Sequence, residues 1–210
     1  MFFLRASKEA IWQFRPSIPF FNTNEASVFI LTYSPEINSQ QPFALTPNLI
    51  NSFEPGDLRR DIWVNEILFD SVKYFYPFKY KQNSGPLTEY SIVFRLAEMY
   101  LIRSESRARL DNLGGSIADL DSVRNRAKIP LIGNINYGIS KDSLLLNIEH
   151  ERRIEFFSEW GHRWLDLKRT GRVDVVLEDR IGYDSNMKIY PIPQSEMDRN
   201  PFLSRQNEGY

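Results

Sequence analysis

The segment from Glu89 to Asn112 reads EYSIVFRLAEMYLIRSESRARLDN and decides the fold class. Apolar and small residues recur in it at steps of three or four, namely Val93, Leu96, Ala97, Tyr100, Leu101, Ser104 and Ala108. This spacing places side chains on one face of an α-helix. The small side chains of Ala97 and Ala108 would let a neighbouring helix approach closely. We therefore predict a helix over 89–112, ended by the glycine pair Gly114-Gly115.

A second helix is predicted directly after this glycine pair. Ser116 is a typical N-cap residue, and one helical face carries Ile117, Leu120, Val123 and Ala127. The helix should stop before Pro130, because the residue before a proline disfavours helical geometry. Two helices joined by a short turn form an antiparallel hairpin the size of one tetratricopeptide repeat. One such pair cannot bury its apolar faces alone, so a neighbouring pair is expected.

The neighbouring pair is predicted from residue 140 onward. Ser140 or Asp142 caps a helix that continues to Phe157, and the chain should break or kink at Trp160-Gly161. A further helical turn or two, carrying Trp164, then ends at Gly171. The region 89–171 is therefore expected to be a mainly helical stack of two antiparallel pairs.

Residues before about 87 have a different composition, with eight of the chain's twelve prolines among many aromatic residues. Here we predict a short helix over 47–53 capped by Thr46, and two strands, 61–69 and 73–80, around an Asp70-Ser71 turn. The predicted fold is mainly α, with tetratricopeptide-like helical pairs, irregular loops and a short β-hairpin. We expect one domain over 1–210, with a mixed segment 1–86 and a helical core plus C-terminal tail over 87–210.

The overall charge argues against two classes of binding protein. Lysine and arginine number 26 against 27 acidic residues, so the net charge is -1. Nucleic-acid binding depends on neutralising phosphates, and a near-neutral chain gives no case for it. The same holds for binding to an anionic membrane surface. The chain contains no cysteine, which excludes disulfides and thiolate chemistry.

The sequence offers no set of residues for catalysis or metal binding. His150-Glu151 begins like a zinc-binding HExxH helix, but position 154 is isoleucine and the second ligand is missing. Four glutamates, Glu149, Glu151, Glu155 and Glu159, could suggest acid–base chemistry. Spaced among Arg152, Arg153 and Arg163, they are more simply an ion-paired helix face. We therefore predict no enzyme activity, no metal and no cofactor.

Aromatic residues make up 14% of the chain and are the remaining resource for binding. The irregular segment 16–45 carries Phe20, Phe21, Tyr33 and Phe43 amid several asparagines and glutamines. Exposed rings can pack on the C–H face of a sugar while amides bind its hydroxyls, so these four residues are the candidate binding set. The alternative is that the rings only cover the end of the helical stack. The four tryptophans lie in patterned segments and are expected in the core, namely Trp12, Trp63, Trp160 and Trp164.

The order of several motifs resembles the C-terminal domain of the SusD/RagB family, over residues 7–210. The motifs are Ser7-Lys-Glu-Ala-Ile-Trp12, Phe53-Glu-Pro-Gly-Asp-Leu-Arg59, Tyr76-Pro-Phe-Lys79-Tyr80, Phe94-Arg-Leu-Ala-Glu-Met-Tyr-Leu-Ile-Arg-Ser-Glu-Ser106, Glu151-Arg-Arg-Ile-Glu155 with Gly161-His-Arg-Trp-Leu-Asp-Leu-Lys-Arg169, and Tyr190-Pro-Ile-Pro-Gln-Ser-Glu196. Each motif alone is weakly specific, and their common order carries the resemblance.

The resemblance implies a surface-exposed nutrient-binding lipoprotein of the bacterial outer membrane. Its implied ligand is a glycan or other oligomeric nutrient, its implied partner is a SusC-like TonB-dependent transporter, and no catalysis is implied. It also implies that the family's N-terminal half, with the export signal and lipidated cysteine, is not in this sequence. Two rival interpretations remain open at this point. One is a helical-repeat adaptor that binds protein segments, and the other is a glycoside hydrolase with two placed carboxylates.

Overall fold

The computed structural model describes residues 3–210, which divide into two compact units at Trp160/Gly161. Within this range the chain is mainly helical, with ten α-helices, one short 3₁₀ helix and four short strands. The predicted fold class is therefore confirmed. The boundary between the two compact units therefore lies after residue 160, and the change of composition near residue 87 does not coincide with it. The predicted single domain over 1–210 stays a prediction.

The centre of the first unit is the predicted helical hairpin. It consists of α4 (Leu96–Arg109) and α5 (Leu113–Ala127), against which α7 (Lys141–Glu155) packs. Their shared core is fully apolar at its centre, and its most buried members include Leu101, Ala108, Leu120, Leu144 and Ile148. The hydroxyl of Ser104 donates to the backbone oxygen of Ser116 at 2.8 Å, so the close helix contact buries no unpaired hydroxyl there. A short helix, α6 (Ile132–Ile135), completes this side.

The predicted boundaries of this hairpin were wrong at two places. The segment before Leu96 is not helical, because β4 (Ser91–Arg95) pairs antiparallel with β1 (Ala10–Phe14). The glycine pair lies inside the first turn of α5 instead of ending α4. The N-cap is Asn112 and not Ser116, since the Asn112 side-chain oxygen accepts a 3.0 Å hydrogen bond from the Gly115 N–H.

The end of α7 and the turn that follows shape the rim of the first unit. Ser140 caps the helix, as predicted, by accepting from the Ser143 N–H at 3.3 Å. The helix ends at Glu155 and not at Phe157. Beyond it the backbone adopts positive φ at Ser158 (58°) and Trp160 (42°), followed by Gly161 (72°). The predicted break at Trp160-Gly161 is confirmed, and non-glycine residues bear much of it.

The first part of the chain surrounds a second core cluster centred on Trp63, which is 2% exposed. Its helices are α1 (Asn24–Phe29), α2 (Pro47–Ile50) and α3 (Leu58–Trp63), and its hairpin strands are β2 (Val64–Phe69) and β3 (Val72–Pro77). The predicted hairpin is confirmed, with positive φ at both Asp70 and Ser71, the geometry of a tight two-residue turn. Thr46 caps α2 as predicted. The strand predicted to begin at residue 61 begins only at Val64, because Leu58–Trp63 form α3, which Asp57 caps.

The second unit, Gly161–Tyr210, contains α8 (His162–Arg169), α9 (Val173–Leu177), the 3₁₀ helix Ser185–Lys188 and α10 (Gln194–Arg199). Gly171 follows α8 with φ 69°, the predicted stop. Residues 189–193 form neither helix nor strand, in keeping with Pro191 and Pro193, which cannot donate in a strand ladder. Trp164 is of intermediate burial and belongs to neither core cluster of the first unit, since α8 starts after the turn and does not continue the α7 stripe. None of the described helices is long and apolar enough to span a membrane.

Candidate functional site: an aromatic groove above a buried ionic network

Glu155, at the end of α7, is the centre of a buried network of ion pairs in the first unit. Its side chain is fully buried and accepts hydrogen bonds from Arg59, Arg95 and Arg126. The Arg59 contact is 2.9 Å. These arginines come from three separate elements, α3, β4 and α5. Burial by itself would raise the pKa of Glu155, but the surrounding arginines hold it well below its ordinary value.

Glu151, one turn earlier on α7, connects the network to the loop before α3. It accepts from Arg59 at 2.5 Å and from Arg124 at 3.1 Å. Arg59 also bonds Asp57, and Arg124 also bonds Glu54, so each arginine has a second carboxylate. Burial raises the pKa of Glu151 in spite of its two arginines. The two glutamates thus differ in which protonation state their surroundings favour.

Glu159 carries the network to the rim of the first unit. Its carboxylate accepts from Arg95 at 2.9 and 3.0 Å and from the ammonium of Lys79. Lys79 is buried, and its Nζ lies 4.1 Å from the centre of the Phe157 ring. Burial lowers the pKa of Lys79 to about 8, against the opposing attraction of Glu159. The attraction of Arg95 and Lys79 outweighs burial at Glu159 and lowers its pKa.

The predicted ion-paired glutamate face is therefore right about pairing and wrong about its place and partners. Glu151, Glu155 and Glu159 are buried, and their described partners come mostly from other segments instead of the neighbouring arginines of the same helix. Glu151 and Glu155 are enclosed by arginines in the interior and line neither the groove nor the cavity beside it. The part of the chain that the structure describes also holds no group of three or more residues able to bind a metal ion.

A surface groove of about 660 Å³ lies beside this network and is the candidate site. It runs between the end of β1, the loop that follows, and helix α1. Aromatic side chains and polar groups share its walls, which include Phe14, Arg15, Phe21, Asn24, Glu25, Phe29 and Trp160. The rings of Phe14, Phe21 and Trp160 are each about half exposed. Such a concave, ring-lined surface with a few polar groups is typical of a small-molecule site.

The loop that carries Phe21 is fixed in place by hydrogen bonds to residues 83–89. Asn22 is buried, and its side-chain oxygen accepts from the backbone N–H groups of Thr88 at 2.9 Å and Glu89 at 3.1 Å. The Asn22 N–H donates to the Asn83 oxygen at 3.0 Å, and the Gly85 N–H donates to the Phe20 oxygen at 2.9 Å. Asn22 therefore acts as scaffold, and the groove wall is held before any ligand arrives.

Trp160 forms the opposite part of the lining and was wrongly predicted to be a core residue. Its ring is 52% exposed, and its indole N–H donates to the backbone oxygen of Ile92 at 2.7 Å. The preceding residue, Glu159, is held by the buried network. Both contacts fix the ring while leaving its surface open. Trp12 is also about half exposed, contrary to prediction, and packs on Phe14 at 4.9 Å between ring centres, whereas Trp63 is buried as predicted.

The structure brings one of the four predicted aromatic residues, Phe21, into the groove. Phe20 is 80% exposed but does not line it. Tyr33 packs on Phe69 with ring centres 4.3 Å apart, and Phe43 meets the edge of Phe29. Ligand contact by the four residues is not tested, and the groove supports it for Phe21 but not for Phe20, Tyr33 or Phe43.

The amides of the same loop are used mainly for its own structure. Gln41 is buried, and its side-chain oxygen accepts from the backbone and hydroxyl of Thr32 and from Asn38. The sequence predicts that asparagines and glutamines of the segment 16–45 bind sugar hydroxyls, and of these Asn22 and Asn24 line the groove. Sequence reasoning missed Arg15, Glu25 and Trp160, whose place in the groove depends on backbone geometry.

Comparison with known proteins agrees with this architecture. The model of the SusD family matches residues 64–210. A curated relative, the SusD-like protein P38 of Formosa agariphila, is 32% identical over 127 residues, which is 57% of this chain and 24% of that protein. Surface glycan-binding protein A from Bacteroides thetaiotaomicron superposes with a TM-score of 0.70 at 22% identity, covering 97% of this chain and 52% of that one.

Two further solved structures give the same picture. A SusD superfamily protein from Bacteroides vulgatus has a TM-score of 0.69 at 20% identity, over 98% of this chain and 52% of that chain. The Bacteroides thetaiotaomicron glycan-binding protein has also been solved in complex with laminarihexaose, with a TM-score of 0.68 at 21% identity over 96% and 52%. The chain thus spans about half the length of these structures and about a quarter of the curated relative.

Proposed function

Because this chain belongs to the SusD family, we propose that it binds an oligosaccharide in the groove without cleaving it. The observation that carries the proposal is the 660 Å³ groove with half-exposed rings of Phe14, Phe21 and Trp160. A sugar ring has a flat C–H face that packs on an aromatic ring, and hydroxyls at its edge that need polar partners. Arg15, Asn24 and Glu25 in the same lining can supply those partners.

The carboxylates near the groove favour binding over hydrolysis. Glycoside hydrolysis of the common kind needs two carboxyl groups flanking one glycosidic bond. Glu25 is the one acidic residue among the described residues that line this groove. Glu159 directly precedes Trp160 in the chain. Its carboxylate is bonded to both Arg95 and Lys79 and has no free role as acid or base. We therefore propose a non-catalytic binder.

The test is calorimetry of the 210-residue chain with laminarihexaose, maltohexaose and cellohexaose. Removing a stacking ring, as in Phe21→Ala or Trp160→Ala, should weaken binding by about 1–3 kcal/mol, a range taken from stacking of bases on aromatic side chains. Phe20→Ala is the matched control, because Phe20 is adjacent and even more exposed yet lies outside the groove lining. It should leave the affinity unchanged.

Two controls make the calorimetry decisive. Thermal melts of each variant should stay close to the parent chain, which separates loss of contact from loss of fold. Chromatography of the sugars after long incubation should show no shorter products. Unchanged affinity in both Phe21→Ala and Trp160→Ala, or the appearance of hydrolysis products, would contradict the proposal.

The family relation also suggests where such binding is used. We propose that the bound oligosaccharide is passed to a SusC-like TonB-dependent transporter at the surface of the outer membrane. The support is membership of the SusD family. Co-purification of a transporter of that type with the chain from solubilised outer membranes is the measurement that checks it.

A further inference from the structure

A second cavity, of about 220 Å³, adjoins the groove at its inner side. Three residues line both spaces, namely Glu25, Phe29 and Trp160. The smaller cavity is completed by Tyr80, Ile92, Ser158 and Glu159. It is smaller than the roughly 300–1,000 Å³ typical of pockets for drug-sized ligands. Its size therefore suits one sugar ring and not a further length of chain.

We propose that this cavity is a terminal subsite, which receives the end unit of a neutral oligosaccharide whose remaining units lie in the larger groove. The inference rests on the proposed function and adds to it that the protein recognises a chain end instead of a chain interior. Three observations support it, concerning the floor of the cavity, its polar groups and its charge.

The floor of the cavity is made of buried residues. Tyr80, Ile92 and Glu159 are all buried, at 6%, 2% and 9% exposure. Next to Tyr80 and Lys79 lies a further space of about 10 Å³, enough for roughly one water molecule. A sugar chain that enters from the larger groove therefore has no continuation through this wall.

Two polar groups in the cavity have bonding capacity left for a ligand. Glu25 accepts a 2.8 Å hydrogen bond from the Ser91 hydroxyl through one oxygen, which leaves its other oxygen as an acceptor for sugar hydroxyls. The Tyr80 oxygen accepts from the Ile92 N–H at 2.9 Å, and no acceptor for its own proton is described among residues 3–210. Burial raises the pKa of Tyr80, so the phenol keeps that proton at neutral pH. Glu25 thus offers an acceptor and Tyr80 a donor, which match two neighbouring hydroxyls of one sugar unit.

The charges in the cavity select among end units. Glu159 is neutralised by Arg95 and Lys79, whereas the described contact of Glu25 is a neutral hydroxyl. An acidic sugar, such as a uronate, would place its carboxylate near that of Glu25 and be disfavoured. The subsite therefore suits an uncharged terminal sugar.

End-blocked ligands test the inference directly. The best-binding hexasaccharide of the calorimetry panel is compared with three derivatives: one with a bulky amide at the reducing end, one with a bulky ether at the non-reducing end, and one with both. Blocking the end that enters the cavity should weaken binding at least tenfold, and blocking the other end should not. If the doubly blocked ligand binds as well as the free one, the inference is overturned while groove binding stands. If no oligosaccharide binds, the proposed function itself fails.

Glu25→Gln provides the second arm, because it keeps the size of the side chain and removes the charged acceptor. Because Glu25 also lines the larger groove, the change should weaken both ligands, but it should weaken the free-ended ligand roughly tenfold more than the doubly blocked one, a pattern that a general loss of fold could not produce. Glu36→Gln is the control, since Glu36 lies outside the lining of both cavities, where it accepts from Tyr74. Equal losses for free and blocked ligands in Glu25→Gln would place Glu25 in the larger groove alone and refute the terminal subsite.

Discussion

Glu151 and Glu155 lie one helical turn apart on α7, and we expect them to respond very differently to loss of charge. Both are almost completely buried, at 1% and 0% exposure, and both belong to the same ionic network. The perturbation is the isosteric change Glu151→Gln or Glu155→Gln, measured one at a time. The difference follows from the partners that each carboxylate serves.

Glutamine cannot replace Glu155, because three arginines converge on that carboxylate. A glutamine offers one acceptor oxygen, and its NH₂ group would face at least one of Arg59, Arg95 and Arg126. Removing one partner of a buried ion pair costs about 3–5 kcal/mol. Arg59, Arg95 and Arg126 each keep another carboxylate, in Asp57, Glu159 and Glu9, but one of the three would still face the buried NH₂ group. This is a large share of the roughly 5–15 kcal/mol that stabilises an ordinary domain. The lowered pKa of Glu155 agrees that its charged form is the favoured one.

Glutamine should be tolerated far better at position 151. Arg59 keeps Asp57 and Glu155 as partners, and Arg124 keeps Glu54, so neither arginine is left alone. Burial has raised the pKa of Glu151, and the neutral side chain removes that burial cost. The remaining loss is about one ordinary hydrogen bond, roughly 1 kcal/mol.

Urea unfolding followed by circular dichroism measures both free energies of unfolding. Glu66→Gln is the control, since the 2.8 Å pair of Glu66 with Lys73 is about half exposed and should contribute less than roughly 1 kcal/mol. Equal losses in Glu151→Gln and Glu155→Gln would refute the argument, because the number of convergent arginines would then not decide the cost.

Three further predictions concern pH, the core and a helix cap. The pKa values of Glu155 and Glu159 are lowered in the folded chain. Their contribution to stability is therefore complete above the ordinary glutamate pKa of about 4.3 and is lost as the pH falls through the lower folded values. The midpoint temperature of thermal melts between pH 2 and 7 should decline below about pH 4. Trp63→Ala should lose about 3–5 kcal/mol in urea, whereas Trp12→Ala, at a half-exposed ring, should lose clearly less. Asn112→Ala should lose about 1 kcal/mol by removing the cap of α5, and an unchanged urea midpoint would contradict this.

The helices could be predicted from the sequence because their information is local. A period near 3.6 is visible within one segment, and it located α4, α5 and α7. The start of α4 could not be predicted in the same way. Residues 91–95 leave the helical pattern because they pair with residues 10–14, about 80 positions earlier in the chain. No local period reports such a partner.

The candidate site was only partly predictable for a related reason. Phe21 could be found because it lies in an irregular, aromatic-rich loop. Trp160 was assigned to the core, since its neighbours follow a helical apolar pattern. Its exposure results from positive φ at Ser158 and at Trp160 itself, and from the bond between its indole and the Ile92 oxygen. Neither a backbone angle at a non-glycine residue nor this distant carbonyl is visible in the sequence.

The motifs that carry the family resemblance mainly supply the buried network and not the groove. Arg59 lies in the motif 53–59, and Lys79 lies in the motif 76–80. Arg95 lies near the start of the motif 94–106, and Glu151 and Glu155 begin and end the motif 151–155. The ring-bearing lining of the groove lies almost entirely outside them.

This division has a consequence for function. Side chains that hold the scaffold together can identify a fold, but they lie outside the groove lining, so the motifs do not indicate which ligand the groove would take. Specificity should instead depend on residues 14–29 and on Trp160. Exchanging that loop for the corresponding loop of a relative should therefore change the preferred oligosaccharide while the free energy of unfolding changes little. Substitutions in the network should do the reverse, because their effect is on the stability of the fold that presents the groove.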